Sequence, residues 1–243
     1  MNQSDQETAE STATSAGRLE RVGDVLRRDG YAHLSRPHKY QEFADICAML
    51  GDLESRTDLK IDGEMNRAIL SRRSVAGSGQ RPSVFTANEI GFHADTPEVD
   101  FIGWHCFHQD DDDGALLMVD LGDIESWFSP EELALLGRIT VQWTTQENGA
   151  ERAHRQPVIA REGGINKFYY APWLLDHPED ESEKNVLEKF VGHLRMLEAS
   201  RTIAVRLHEG ESLFIDNRRM LHARHAISPE SRRHIVRLRM RGR

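Results

Sequence analysis

GFHADTPEVDF, residues 91–101, is the stretch on which the reading of this chain turns. It sets His93 and Asp95 two positions apart, behind the apolar Phe92 and ahead of the turn-forming Thr96, Pro97 and Glu98. In an extended segment the side chains at i and i+2 point to the same face, so the imidazole and the carboxylate converge on one point. Such a pair is more often a hydrogen-bonded couple than a metal site. It is also two thirds of a metal site if a third ligand arrives from elsewhere.

Working outward, the 243 residues are enough to bury a sizeable core in a single domain, taken here as residues 18–243. Hydrophobic residues make up 38%, polar for a globular chain but above a disordered composition. A formal net charge of -9 argues against general affinity for nucleic acid or anionic membrane. Cys47 and Cys106 read as free thiols in a reducing compartment, and no apolar run approaches transmembrane length, so a cytoplasmic location is expected. Residues 1–17 are polar and acidic without an apolar stretch, and read as a disordered tail.

Leu19, Val22, Val25 and Leu26 fall at helical spacing before the stop signal Gly30, and YAHL follows as a short strand. KYQEFADICAML forms a second helix with Phe43, Ile46, Cys47 and Leu50 on its apolar face. Residues 57–82 read as a long irregular polar segment. Strand-like runs EIGFHAD, FIGWHCFH and ALLMVDL come next, then a helix at EELALLGRI and extended runs at ITVQWTT and NKFYYAPW. SEKNVLEKFVGHLRMLEA is the clearest helix, with Val186, Leu187, Phe190, Leu194 and Leu197 along one side. Strands close the chain. Many short strands with a few helices outside them suggest a barrel or sandwich with helical support.

The third ligand candidate is His222, in SLFIDNRRMLHARHAI, 222 − 95 = 127 residues beyond the carboxylate. Two imidazoles and a carboxylate make a facial triad suited to Fe(II), with positions left open for a co-substrate and oxygen.

FHAD, GALLMVD, DNRRMLHAR and RRHIVRLRM, in that order over residues 89–240, resemble the taurine dioxygenase and clavaminate synthase-like family of Fe(II)/2-oxoglutarate oxygenases. The resemblance implies a mainly β fold, a double-stranded β-helix (jelly-roll) core with flanking helices. It implies a dioxygenase that uses Fe(II), 2-oxoglutarate and O2, with His93, Asp95 and His222 as iron ligands and catalytic residues. It assigns Arg233, eleven residues after His222, to the distal carboxylate of 2-oxoglutarate. A guanidinium is a permanent cation whose fork matches a carboxylate. Arg237, four residues further on the same strand face, is by analogy the substrate-binding residue. The implied reaction is hydroxylation of a C–H bond in a small amino acid or amino-acid-derived metabolite, with desaturation and ring formation open. The chain departs from the family at Leu116, where a threonine hydroxyl often meets 2-oxoglutarate and leucine cannot donate.

Other features have plainer readings. His105 and His108 flank Cys106 but fall on opposite strand faces, which suits packing or surface roles rather than zinc. DDDDG, residues 110–114, fails the EF-hand pattern and reads as a solvated loop. The arginine-rich end alternates Arg233, Ile235, Arg237 and Arg239 against His234, Val236, Leu238 and Met240, a strand pattern rather than a nucleic-acid tail. Trp143, Tyr169, Tyr170 and Trp173 read as core, with a substrate pocket as the second reading. Residues 57–80 and 146–173 are candidate lid segments. Two other functions fit the same fold: a metal-binding jelly-roll acting without 2-oxoglutarate, and a non-catalytic binding protein.

Overall fold

The computed structural model describes residues 21–60, 87–110, 114–147, 150–162 and 164–243. The tail expected over residues 1–17 and most of the segment expected over 57–82 lie outside the described residues.

Two antiparallel sheets face each other. Strands β1 (Tyr31–Leu34), β2 (Asp52–Lys60), β4 (Phe101–His108), β11 (Ser212–Asp216) and β13 (His234–Arg241) form the larger, in the order β1-β11-β4-β13-β2. Strands β3 (Ile90–His93), β5 (Leu116–Asp120), β10 (Ile203–Val205) and β12 (Met220–Arg224) form the smaller, in the order β10-β5-β12-β3. Two hairpins, β6 (Thr140–Glu147) with β7 (Ala150–Pro157) and β8 (Ile159–Glu162) with β9 (Ile165–Phe168), complete the strands. Helix α1 (Tyr40–Leu50), with the helical residues 21–29, covers the outside of the larger sheet. Helices α2 (Pro130–Leu136) and α3 (Glu181–Arg201) cover the smaller. This is the expected jelly-roll with flanking helices.

The core therefore has three layers, and the period-two alternation of the strands sorts residues among them. Leu213 and Ile215 of β11 point between the sheets with Ile102, Trp104, Met118 and Ile235. Phe214 points outward to Phe43, Ile46, Val236, Leu238 and Met240. On the smaller sheet, Val119 and Leu221 point outward to Phe190, Leu194 and Leu197 of α3. Strands β11 and β12 are buried at every position because both of their faces are covered, so their sequences read as nearly continuous apolar runs.

The helices follow the sequence closely. The buried residues of α3 are Val186, Leu187, Phe190, Leu194 and Leu197, the expected face, and Asp180 caps its N-terminus by accepting from the Ser182 and Glu183 amides. Helix α2 starts with a capping box between Ser129 and Glu132. Gly30 ends the first helix at φ 77°, a left-handed conformation in which a side chain is strained.

One expectation is corrected. Residues 57–60 are not irregular but the end of β2, which pairs with β13 along its length. One face of β2 is exposed throughout and the other interrupts Leu53 and Leu59 with Ser55 and Thr57, so no apolar alternation marked it as a strand; the β13 ladder makes it one. Residues 146–173, a candidate lid segment, are built mostly of the hairpins β6–β7 and β8–β9.

Candidate metal centre

His93 closes β3 and His222 lies in the middle of β12, and the two are direct cross-strand partners. A register shift between His222 and Arg224 follows, a bulge of the kind that re-aims side chains beside active sites. Asp95, two residues past His93, is held by a buried bracket. Its amide donates to Asn217 Oδ1 at 2.9 Å, and Asn217 Nδ2 donates to the Val99 carbonyl at 2.8 Å. The ligand atoms of His93, Asp95 and His222 all lie within 4.8 Å of one another, and all three residues are buried.

The ring nitrogens suit a metal. His93 Nδ1 donates to the Gly91 carbonyl at 2.8 Å, which fixes the tautomer and leaves the Nε2 lone pair facing Asp95. His93 Nε2 and His222 Nε2 are each 3.8 Å from Asp95 Oδ1. Among the described residues neither nitrogen of the buried His222 ring has a hydrogen-bond partner, a costly arrangement that a bound cation relieves at Nε2. Burial pushes both imidazoles below their ordinary pKa, and for His222 the neighbouring His93 adds to the shift; both are thus neutral and ready to ligate. Burial would raise the Asp95 carboxyl, but Arg237 and Arg239 outweigh it and hold the group ionised.

The cavity beside the triad is lined by His93 and His222 together with Leu59, Ile90, Trp104, Leu116, Ala223, Arg224, Arg233 and Arg237. Arg233 is 2% exposed; its Nε donates to Gln109 Oε1 at 3.0 Å and its buried Nη2 has no partner among the described residues. Burial, with the charge of Arg224, pulls its pKa down to about 10, so it stays cationic. Leu116 turns its side chain into the same cavity, opposite Arg224 in the β5–β12 register. Arg237 is also buried, 5% exposed, with Nη1 3.4 Å from Asp95 Oδ2. The expected site residues His93, Asp95, His222, Arg233 and Arg237 are thus brought together.

Three further residues belong to this place. Arg239 Nε donates to Asp95 Oδ2 at 2.5 Å. Arg224 reaches the cavity from β12. Both stand two positions from a recognised residue, so the i, i+2 rule applied once more would have found them. Trp173 is the third: its ring centroid is 5.0 Å from that of His93 and its Nε1 is buried without a partner. Tyr169 and Tyr170 are core, as expected. Among the acidic residues near β3, Asp100 is engaged by Lys167 Nζ at 3.3 Å and the Gly242 amide at 2.8 Å, and Glu89 and Glu98 are exposed.

His105 and His108 stay outside the site. His105 is buried, stacks on Phe43 with centroids 5.3 Å apart, and bonds to Ser212 Oγ at 2.9 Å. Cys47 and Cys106 are free and buried, and burial pushes the Cys106 thiol up to about 11. His234 turns away from Arg233 towards Asp58, 3.2 Å off. Asp110 accepts from Ser231 Oγ and from the Arg232 amide, which ties its loop to the approach to Arg233. No helix among the described residues is long and apolar enough to cross a membrane.

The family model described as "Taurine catabolism dioxygenase TauD, TfdA family" matches residues 6–239. The chain belongs to this family. With its buried two-histidine, one-aspartate cluster it is a non-haem iron dioxygenase dependent on 2-oxoglutarate. Three solved structures share the fold. Asparagine oxygenase in complex with Fe(II), 2S,3S-3-hydroxyasparagine and succinate is 16% identical, with a TM-score of 0.64 over 93% of this chain and 79% of that one. A variant of the non-heme iron oxygenase OrfP in complex with (3S)-hydroxy-L-Arg is 13% identical, with a TM-score of 0.67 over 93% and 80%. PvcB from Pseudomonas aeruginosa, an Fe, alpha-ketoglutarate dependent oxygenase from an isonitrile synthetic pathway, is 16% identical, with a TM-score of 0.59 over 91% and 79%. A search of curated protein sequences found no match.

Proposed function

We propose that this dioxygenase hydroxylates a C–H bond of a small amino acid or an amino-acid-derived metabolite. In this reading His93, Asp95 and His222 hold Fe(II), Arg233 holds the far carboxylate of 2-oxoglutarate, and Arg237 receives an anionic group of the substrate. The observation that carries it is the buried convergence of three ligand atoms within 4.8 Å beside a cavity into which Arg233 brings an unpartnered guanidinium nitrogen.

The iron and the keto acid supply the oxidising chemistry; the protein supplies placement. The Arg233 fork, desolvated among Leu116, Leu59 and Ile90, meets a carboxylate more strongly than it would in water. Arg237 brings a second guanidinium to the cavity, with Nη1 3.4 Å from Asp95 Oδ2, and offers a buried cation to a substrate carboxylate. Trp173 and Trp104 wall the histidines and keep water from the reacting atoms. Asp100 is paired with Lys167, which removes it as a partner for a substrate amine and leaves carboxylate recognition as the first selective contact. The hydroxylated amino acids bound by asparagine oxygenase and OrfP support the amino-acid class. A cytoplasmic location accords with two free, buried thiols.

The test is an anaerobic titration with Fe(II) and 2-oxoglutarate, followed by admission of oxygen with a panel of amino acids. A visible charge-transfer band, then succinate and a hydroxylated amino acid in equal amounts, is the expected result. No band excludes 2-oxoglutarate use, and a band without substrate-dependent succinate points to a binding protein.

A further inference from the structure

The two oxygens of Asp95 are held in different ways. Oδ1 faces the imidazoles, 3.8 Å from His93 Nε2 and 3.8 Å from His222 Nε2. Oδ2 faces away and is contacted by Arg239 Nε at 2.5 Å and by Arg237 Nη1 at 3.4 Å. A carboxylate can ligate through one oxygen or through both. With Oδ2 engaged, only Oδ1 remains for a metal between the histidines.

We propose that Arg239 is a positioning residue that keeps Asp95 a one-oxygen ligand by holding Oδ2 through its Nε–H. The inference rests on the ligand set proposed above. Three single-atom protein ligands leave half of an octahedral shell open, enough for a keto acid that chelates through two atoms and for oxygen. An Asp95 that swings Oδ2 onto the metal closes one of those positions.

Arg239 is well placed to do this. Its backbone lies in β13 between Ile102 of β4 and Ser55 of β2. Its Nη1 is 3.5 Å from Ser55 Oγ, and its side chain is 22% exposed. Arg237 shares the strand face and the carboxylate oxygen but makes the longer contact. When Arg237 turns to an anionic substrate, Arg239 alone retains Oδ2.

Two substitutions separate position from charge. Arg239→Met removes donor and charge and ends in a methyl group where Nε stood. Arg239→Gln drops the charge but returns an N–H donor, because the amide nitrogen of Gln follows the same number of carbons as Nε. Each protein is loaded with Co(II) and its d–d absorption recorded. The Fe(II) form is then titrated anaerobically with 2-oxoglutarate.

For Arg239→Met the expected result is Co(II) binding as tight as wild type or tighter, weaker d–d bands from the higher coordination number, and 2-oxoglutarate affinity reduced about tenfold or more. Arg239→Gln restores the wild-type spectrum and affinity. Superimposable spectra and equal co-substrate affinity in the Met variant overturn the proposal. So does parallel weakening of metal, co-substrate and thermal midpoint, the mark of a merely structural arginine, and so does a Gln variant that behaves like Met. If Arg239→Met does not fold, Arg239→Gln with a non-native Co(II) spectrum overturns it and a native one supports it. If wild type forms no 2-oxoglutarate complex, the co-substrate reading fails, while the Co(II) spectra still decide the role of Arg239.

Discussion

His93 and His222 stand directly opposite each other on β3 and β12, with ring centroids 4.3 Å apart. Two buried imidazoles this close are both neutral, and each pushes its lone pair into a space that Asp95 Oδ1 shares. The arrangement is poor for an empty protein and good for one carrying a divalent cation.

Metal binding should therefore stabilise the fold. With Co(II) at a hundredfold excess over its Kd, unfolding should cost about 2.7 kcal/mol more than in chelator. His222→Ala should fold, as judged by circular dichroism, yet lose this increment together with succinate formation. A His222→Ala protein whose thermal midpoint still rises with Co(II) removes His222 from the ligand set.

Arg233→Lys keeps the charge and loses the fork. A lysine ammonium offers a point charge in place of two parallel N–H donors, and Leu116 beside it adds no hydroxyl. Affinity for 2-oxoglutarate should drop by about 1–3 kcal/mol, read from the anaerobic charge-transfer titration. The companion Leu116→Thr should tighten binding by returning a hydroxyl; looser binding there means residue 116 does not face the co-substrate.

Arg237→Ala should leave the anaerobic 2-oxoglutarate complex intact while substrate-triggered succinate release declines. The motive is that Arg237 lines the cavity beside the triad, four residues along β13 from Arg233. Loss of the co-substrate complex itself would assign Arg237 to 2-oxoglutarate.

Acid should weaken the protein partly through His105. Burial, with His38 beside it, lowers the His105 pKa to about 4, below its ordinary 6.5. The unfolded chain then takes up a proton first as pH falls. The contribution is fully present above about pH 6.5 and is lost down to about pH 4, worth roughly 3 kcal/mol. Urea unfolding of wild type and His105→Gln across this range should give different pH slopes, and equal slopes would falsify this account.

The packing of α3 offers a test of the fold itself. Phe190 is 1% exposed beneath the smaller sheet, while Met196 on the same helix is 52% exposed. Phe190→Ala should cost about 3–5 kcal/mol and Met196→Ala less than about 0.5 kcal/mol in denaturant unfolding. Similar costs at both positions place the helix face incorrectly.

The apolar face of α3, the strands around His93 and His222, and the alternation that puts Arg233, Arg237 and Arg239 on one face are all legible in the sequence, because each follows from a local period of 3.6 or 2. Strand β2 is not legible there, because one face is wholly charged and the other interrupts Leu53 and Leu59 with Ser55 and Thr57, so the β13 ladder beside it settles its conformation. Trp173 is legible as an aromatic but not as a neighbour of His93, since it sits in a short turn, Pro172–Leu174, that no periodicity places.

By itself the sequence determined which chemical groups are present, which face of each strand or helix they occupy, and, through ordered motifs, the family to which they belong. Only the tertiary structure decided that His222 lands opposite His93, that Asp95 turns one oxygen to the imidazoles and the other to Arg239, and that Asp100 is taken by Lys167. The reason is that facing is a local property of backbone geometry. Register between His93 and His222, 222 − 93 = 129 residues apart, and the competition of several cations for one carboxylate oxygen are set by non-local strand pairing, which no window of sequence contains.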